Sequence, residues 1–347
     1  MNISITKYPL VFKQAAGTSR GILRKKNTWF LKLFKANSPK TFGLGEINMF
    51  EGLSYDDRDN FYSKLTEISN NPELYINSLH DELKEFPSIR FGLESAIIDY
   101  HQKCKRILFP SDFTLGKEGI PINGLIWMGK KDFMLDQIKS KLSNGFKCLK
   151  LKIGSIYFEE EISILKMIRN EFNENDLEIR VDANGAFGID EALFKLDRLS
   201  KLKLHSIEQP IKQGQIKIMH ELCKNTPLPI ALDEELIGIN DLSDKKQLLE
   251  DIRPQYIILK PALTGGIKAS EEWIKIADTL NIDWWITSAL ESNIGLNVIA
   301  QWTYSLNTSK YQGLGTGQLF TNNIESPLMQ SGERLFHSPE KNWGIIP

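Results

Sequence analysis

The sequence predicts an α/β protein in which a barrel of parallel βα units follows a smaller α+β domain. Three observations carry this. The 347 residues suit about two domains, or one barrel of ~250 residues with an appendage. A composition of 41% hydrophobic and 25% charged residues is that of a folded chain and excludes wholesale disorder. From residue 122 onward, short apolar runs alternate with longer amphipathic stretches in a steady rhythm.

The elements follow in order. ISITKYPLVFK and TWFLKLFKA are rich in β-branched and aromatic residues, and TFGLGEINMF follows with turn-forming Gly43 and Gly45. These predict a three-stranded antiparallel meander. DDRDNFYSKLTEI, NPELYINSLHDEL and SIRFGLESAIIDYHQK carry apolar residues at helical spacing, and Pro72 after Asn71 suits a first helical position. The Pro- and Gly-rich FPSDFTLGKEGIPING places a domain boundary near residues 110–120. Eight strand-like runs come next, at 122–128, 148–153, 178–183, 204–209, 229–234, 256–261, 283–288 and 311–315. Seven helical inserts separate them, as parallel βαβ units require. A doubly wound open sheet is the competing architecture, but no GxGxxG follows the first run.

Charge and cysteine usage narrow the function. A net charge of −1 gives no field to hold a polyanion, which excludes a dedicated nucleic-acid binder. No apolar run reaches the ~18–20 residues that span a bilayer, and MNISITKYPLVFK has no signal-peptide pattern. Cys104, Cys148 and Cys223 are scattered, which suggests neither a disulfide framework nor a zinc site. These readings predict a cytoplasmic protein with no membrane and no nucleic-acid partner. Oligomeric state is not legible.

The informative positions are the carboxyl ends of the predicted strands. They carry Lys150 and Lys152, then Arg180, Asp182 and Asn184, then Glu208, Asp233 with Glu234, Lys260, and Ser288 followed by Glu291. In a barrel these ends converge on one mouth. The steps Asp182–Glu208, Glu208–Asp233 and Asp233–Lys260 are 26, 25 and 27 residues, each about one βα unit. Three adjacent carboxylates repel by several kcal/mol and need a counter-charge. An oxygen-only set suits a hard divalent ion such as Mg²⁺. Lys150 and Lys152 share one strand face, and Lys260 comes from beyond the acids. Facing ammonium groups near a cation should lower each other's pKa, and a lysine near neutrality can serve as a general base. The set fits removal of a proton α to a carboxylate.

KLKIG, RVDANGAF, IEQPI, ALDEEL, ILKPALTGG and SALESNIGL resemble the muconate-lactonising branch of the enolase superfamily. GEINMFEGLS and RFGLESAIIDY are similar to its capping domain. The resemblance implies a modified TIM barrel, (β/α)7β, over residues 116–320, an N-terminal α+β capping domain over 1–115, and a C-terminal segment, 321–347, returning to the cap. Within the branch it points to the dehydratases that form o-succinylbenzoate in menaquinone biosynthesis, lyases acting on a small-molecule carboxylate. Asp182, Glu208 and Asp233 then match metal ligands for Mg²⁺, with Mn²⁺ as a substitute. Lys152 matches the acid/base lysine, Lys260 the cation opposite, and Lys150 a residue tuning Lys152. Ser288, Gly313 and Gly315 match contacts to a succinyl tail, with Arg180 and Asn184 also at the substrate and Glu234 beside the metal shell. Gly17–Arg24 match the loop that closes over the mouth.

Two relatives lose weight. Dipeptide epimerases of the branch hold an ammonium with Asp-x-Asp where this chain has Gly313-Leu314-Gly315, and a free amine would lie uncompensated there. None of the five histidines follows a late strand end, as a histidine base requires. An N-succinylamino acid racemase, with Lys152 and Lys260 as bases on two faces, stays open. So does a non-catalytic metal-binding scaffold barrel, although two matched lysines argue against it. Other features read as structural: Arg24-Lys25-Lys26 as a solvated turn, Trp284-Trp285 as packing, Cys148 as a buried hydrophobe, and His205 as a satisfied strand histidine.

Overall fold

The computed structural model describes residues 1–18 and 21–347. Strands Asn2–Thr18, Gly21–Lys35 and Ser38–Ile47 form the antiparallel meander. Over residues 29–33 and 43–47 both faces of this sheet are buried, since alternate residues point opposite ways and each face is covered. Trp29, Leu31 and Leu33 pack beneath the helices Phe61–Asn70 and Pro87–His101. Phe30 and Leu44 turn the other way, onto Ile294 of the barrel helix Asn293–Ser305. Helix and sheet approach closely where a Cβ on Gly45 would lie 1.8 Å from the Gly92 carbonyl oxygen, so neither a side chain there nor a looser packing fits.

The barrel sheet has seven parallel strands in sequence order: Gly124–Ile126, Cys148–Lys152, Glu178–Asp182, Ser206–Glu208, Ile230–Leu232, Tyr256–Leu259 and Asp283–Ile286. A helix of ten or more residues follows each, from Lys131–Ser143 to Asn293–Ser305. Those helices turn apolar stripes inward; Ile216–Asn225, for example, buries Met219, Leu222 and Cys223. Each such side chain is worth ~1.5–3 kcal/mol. The fold is therefore a (β/α)7β barrel rather than a doubly wound sheet. The eighth run does not form a full strand. It closes the ring through single parallel bridges, Thr287 to Gly313 and Ile122 to Gln312. Its glycines contribute no packing to sustain a longer ladder.

The C-terminal segment divides. Just before it Phe320 bridges Phe12 of the meander, while strand Leu328–Ser331 pairs with Arg334–His337, and that strand in turn with Ile120–Pro121 at the start of the barrel. Among the described residues no helix is long and apolar enough to cross a membrane.

Cap and barrel are joined through a buried carboxylate. Glu94 accepts from the Ile267 and Lys268 amides at 2.6 and 3.1 Å, at the start of the helix Gly266–Thr279. Burial pushes its carboxyl up to about 7, against the pull of these amides and of Arg90. The folded state thus holds a proton that the unfolded chain releases near pH 4.5. Glu94's contribution to stability is fullest below that value and falls as pH rises toward 7, by at most about 1.4 kcal/mol per unit. Urea unfolding of wild type and Glu94→Gln at both ends of this window checks it. The stability difference between the two proteins should drift with pH, and a constant difference refutes the assignment.

Candidate active site

Parallel register builds the site. Lys152 pairs with Asp182, and Asp182 with Glu208, so the three side chains stand level on neighbouring strands and point the same way. Glu208 is level with Ala231, and Asp233 lies two residues further on the same strand side. Lys260 immediately follows the next strand. All of these side chains turn into the barrel rather than outward. Lys152 Nζ donates to Asp182 Oδ2 and Asn184 Oδ1, both at 2.7 Å. Lys150 Nζ lies 2.9 Å from Asp182 Oδ2 and also pairs with Glu208. Lys260 pairs with Asp233 and lies 3.8 Å from Glu208 Oε1.

These charges set one another's protonation. Burial would raise Asp182, but Lys150 and Lys152 outweigh it and hold the carboxyl well below the usual range. Burial likewise opposes Lys260 at Asp233, and the lysine prevails. Glu208 goes the other way: burial pushes it well up, and Asp182 and Asp233 on either side add to the push. Glu234 is raised by burial and by Asp233. Lys150 does lower Lys260, as facing ammonium groups should, but the carboxylates around them outweigh this. Burial lowers Lys150 and Lys260, but Asp182 and Glu208 around the first, and Asp233 and Glu208 around the second, raise both.

The donor set suits a divalent cation. Three buried carboxylates adjoin, and neither Glu208 oxygen has a hydrogen-bond partner, although two ammonium groups lie in ion-pair range. Among the described residues, no three His, Cys, Asp or Glu side chains already surround one point as ligands. The ammonium groups of Lys150 and Lys260 stand between these carboxylates, and a cation would take over that compensation.

Above this row opens a cavity of about 830 Å³, counted with its mouth. One side is polar, with Lys150, Lys152, Asn184, Glu234 and Lys260. The other is apolar, with Leu125, Trp127, Leu263 and Leu290 of the barrel and Phe50 and Leu53 of the cap. Ser288, Gly313 and Gly315 line it as well, and Ser288 Oγ lies 2.6 Å from Thr316 Oγ1. Gly313 must lack a side chain, since a Cβ there would sit 2.4 Å from Thr287 Oγ1. Asn184, in the left-handed region at φ 44°, accepts from Lys152 and donates to Glu234 Oε1 at 2.9 Å, so it ties the two together.

Arg180 is not brought to the cavity. It lies one turn of the pleat below Asp182, with its guanidinium 4.2 Å from the centre of the Trp285 ring. It donates to Glu178 Oε1 at 2.6 Å and to the Tyr311 carbonyl at 3.0 Å, so it floors the barrel. Of Gly17–Arg24, Ser19 and Arg20 lie outside the described residues, whereas Leu23 packs against the cluster of Phe50, Leu263 and Ala289 beside the cavity. Cys148 is fully buried, and burial pushes its thiol well up. His205 lies 2.9 Å from Ser206 Oγ through Nδ1, and burial lowers it to about 4.

Lys26 corrects the sequence reading. It is not in a solvated turn but 7% exposed, and its ammonium donates to Asn48 Oδ1. Sequence reasoning also missed Phe50, Leu53 and Trp127 as lining. The apolar GEINMFEGLS segment was a signal for the first two, but only the docking of cap on barrel turns them inward.

The chain belongs to the family described as enolase C-terminal domain-like, whose model matches residues 134–334. Its fold thus stands in a known class. Among particular relatives, it is 44% identical to the o-succinylbenzoate synthase of Desulfotalea psychrophila, over 96% of this chain and 98% of that protein. The crystal structure of MenC from the same organism superposes with a TM-score of 0.86 at 41% identity, covering 97% of this chain and 99% of that one. An L-amino acid-D/L-Glu epimerase of Sulfurimonas denitrificans is 25% identical over 74% of this chain and 75% of its own.

Proposed function

We propose that this chain dehydrates 2-succinyl-6-hydroxy-2,4-cyclohexadiene-1-carboxylate to o-succinylbenzoate, a lyase step in menaquinone biosynthesis. The observation that carries the reading is the likeness to the Desulfotalea synthase along nearly the whole of both chains, joined to the level row Lys152–Asp182–Glu208 with Lys260 beyond it. Asp182, Glu208 and Asp233 would hold Mg²⁺, or Mn²⁺ in its place. The bound ion supplies positive charge beside the substrate carboxylate as negative charge develops there.

The protein's own residues do the rest. Lys152, as the free amine, takes the ring proton α to the carboxylate. The same ammonium then gives that proton to the departing hydroxyl at the neighbouring carbon, and water leaves. The ring gains its third double bond, so substrate becomes product plus one water with no redox change. Lys260, on the far side of the acids, stays an ammonium and faces the developing charge. Lys150 holds Asp182 and Glu208 in place, and Asn184 aims Lys152. Ser288 and the glycine backbone at 313 and 315 contact the succinyl tail. The apolar wall receives the ring. The same reading places the protein in the cytoplasm with a small carboxylate as its partner.

The test is loss of the diene's ultraviolet absorbance on addition of enzyme and Mg²⁺. A second reading, racemisation of N-succinylamino acids, draws on the fact that Lys152 and Lys260 enter from opposite flanks. Incubation of such substrates in deuterated water separates the two. Slow α-exchange with rapid dehydration supports the synthase. Rapid exchange without dehydration overturns it. A chain with neither activity would be the scaffold barrel.

A further inference from the structure

The cavity wall made by Ala289 and Leu290 is held from behind by the capping domain. Asn48 directly follows the last cap strand and is fully buried. Its Nδ2 donates to the Ala289 carbonyl and to Glu291 Oε1, both at 2.9 Å. Its Oδ1 accepts from the buried Lys26 ammonium, which fixes the amide's orientation. Glu291 in turn accepts from the Ala289 amide at 2.7 Å, so Ala289 is gripped at both its N–H and its C=O. Leu290, next along, is in the left-handed region at φ 60°, which a leucine adopts only when its surroundings impose it.

Two residues earlier on the same strand, Glu46 takes the other end of this turn. It accepts from the Ser292 and Gly295 amides at 2.9 and 2.8 Å. Thr28, on the same strand face as Lys26, donates to Glu46 at 2.8 Å. The cluster shares its charge internally: Lys26 is flanked by Glu46 and Glu291, and burial pushes Glu291 up to about 7. Nothing in the dehydration uses these groups. Yet Phe50, two residues past Asn48, lines the same cavity as Ala289 and Leu290.

We propose that Asn48, clamped by Lys26, is a positioning residue that transmits the placement of the cap to the Ala289–Leu290 wall and thereby sets substrate affinity. This rests on the reading of the cavity as the substrate site. Removing the side-chain amide frees the Ala289 carbonyl and lets Leu290 relax from its left-handed turn, while Lys152 and the carboxylate row, on the opposite strands, are untouched. The effect therefore falls on binding and not on proton transfer.

The experiment compares wild type with Asn48→Leu and Lys26→Met in the full-length enzyme. Amide hydrogen exchange over residues 288–292 is read without ligand; KM, kcat and calorimetric binding of o-succinylbenzoate are read with it. The expected result is faster exchange in that segment, a KM and product Kd raised about tenfold, the size of one buried hydrogen bond, that holding the Ala289 carbonyl, and a kcat close to that of wild type. Unchanged exchange overturns the strut. Faster exchange with unchanged KM and product Kd overturns its role in affinity, as does a fall confined to kcat. If Asn48→Leu does not fold, Lys26→Met, whose stem keeps its volume, decides alone. If wild-type enzyme does not turn over the cyclohexadiene, the proposed function fails, and the strut stands or falls on the exchange measurement.

Discussion

Lys152→Ala lowers dehydration by about 10³- to 10⁴-fold, the contribution of a well-placed acid/base group used in both halves of a reaction. The fold is expected to survive. Lys152 is partly exposed at the cavity, and Asp182, its partner, keeps the ion pair with Lys150. Thermal unfolding should therefore stay close to that of wild type while kcat collapses. Lys152→Arg should not rescue, because a guanidinium has no free lone pair at accessible pH. Measured kcat and Tm for the two variants settle the role, and turnover surviving in Lys152→Ala would assign the proton to another group. Lys260 is the group to examine next, since it pairs with Asp233 at the other end of the row.

Removal of divalent cation is the second large effect. A chelator should abolish turnover, by several kcal/mol of lost charge stabilisation or on the order of 10³-fold, and Mg²⁺ should restore it. A readout free of catalysis accompanies this. An ion that binds only the folded chain stabilises it by about 2.7 kcal/mol at a hundredfold excess over its dissociation constant, so Tm should climb with Mg²⁺ concentration. Glu208→Gln should remove most of that climb, because Glu208 lies between the other two acids, with an oxygen toward each of Lys150 and Lys260. A Tm indifferent to Mg²⁺ in wild type would show that Asp182, Glu208 and Asp233 are compensated by the ammonium groups of Lys150, Lys152 and Lys260.

Much of this site was legible in the sequence because the barrel turns spacing into place. One βα unit per step brings Asp182, Glu208 and Asp233 to neighbouring strand ends, and period-two alternation puts Lys150 and Lys152 on one face. The (β/α)7β architecture was legible for the same reason, since each helix must bury its own stripe on the sheet. The identity of the relatives followed from the motifs at those ends. The protonation of the lysines was not legible. It depends on three carboxylates and a degree of burial that no spacing states, and among the chain's own charges the carboxylates outweigh the lowering of one lysine by the other.

Local order along the chain therefore determined which residues stand at the barrel mouth and in what sequence, because parallel strands with short loops leave register little freedom. Contacts between distant segments decided the rest. Arg180 shares the inward parity of Asp182, but the Trp285 ring and the Tyr311 carbonyl from the closing side of the barrel hold it in the floor. The eighth run became two bridges because its glycines bring little packing of their own, and its neighbours on either side complete the ring. Lys26 has the local pattern of an exposed charge run. It is buried because the second face of the cap sheet is covered by a segment more than 240 residues away, through the bonds of Asn48 to Ala289 and Glu291. A strand's alternation tells which side chains share a face; what that face meets is settled only when the two domains dock.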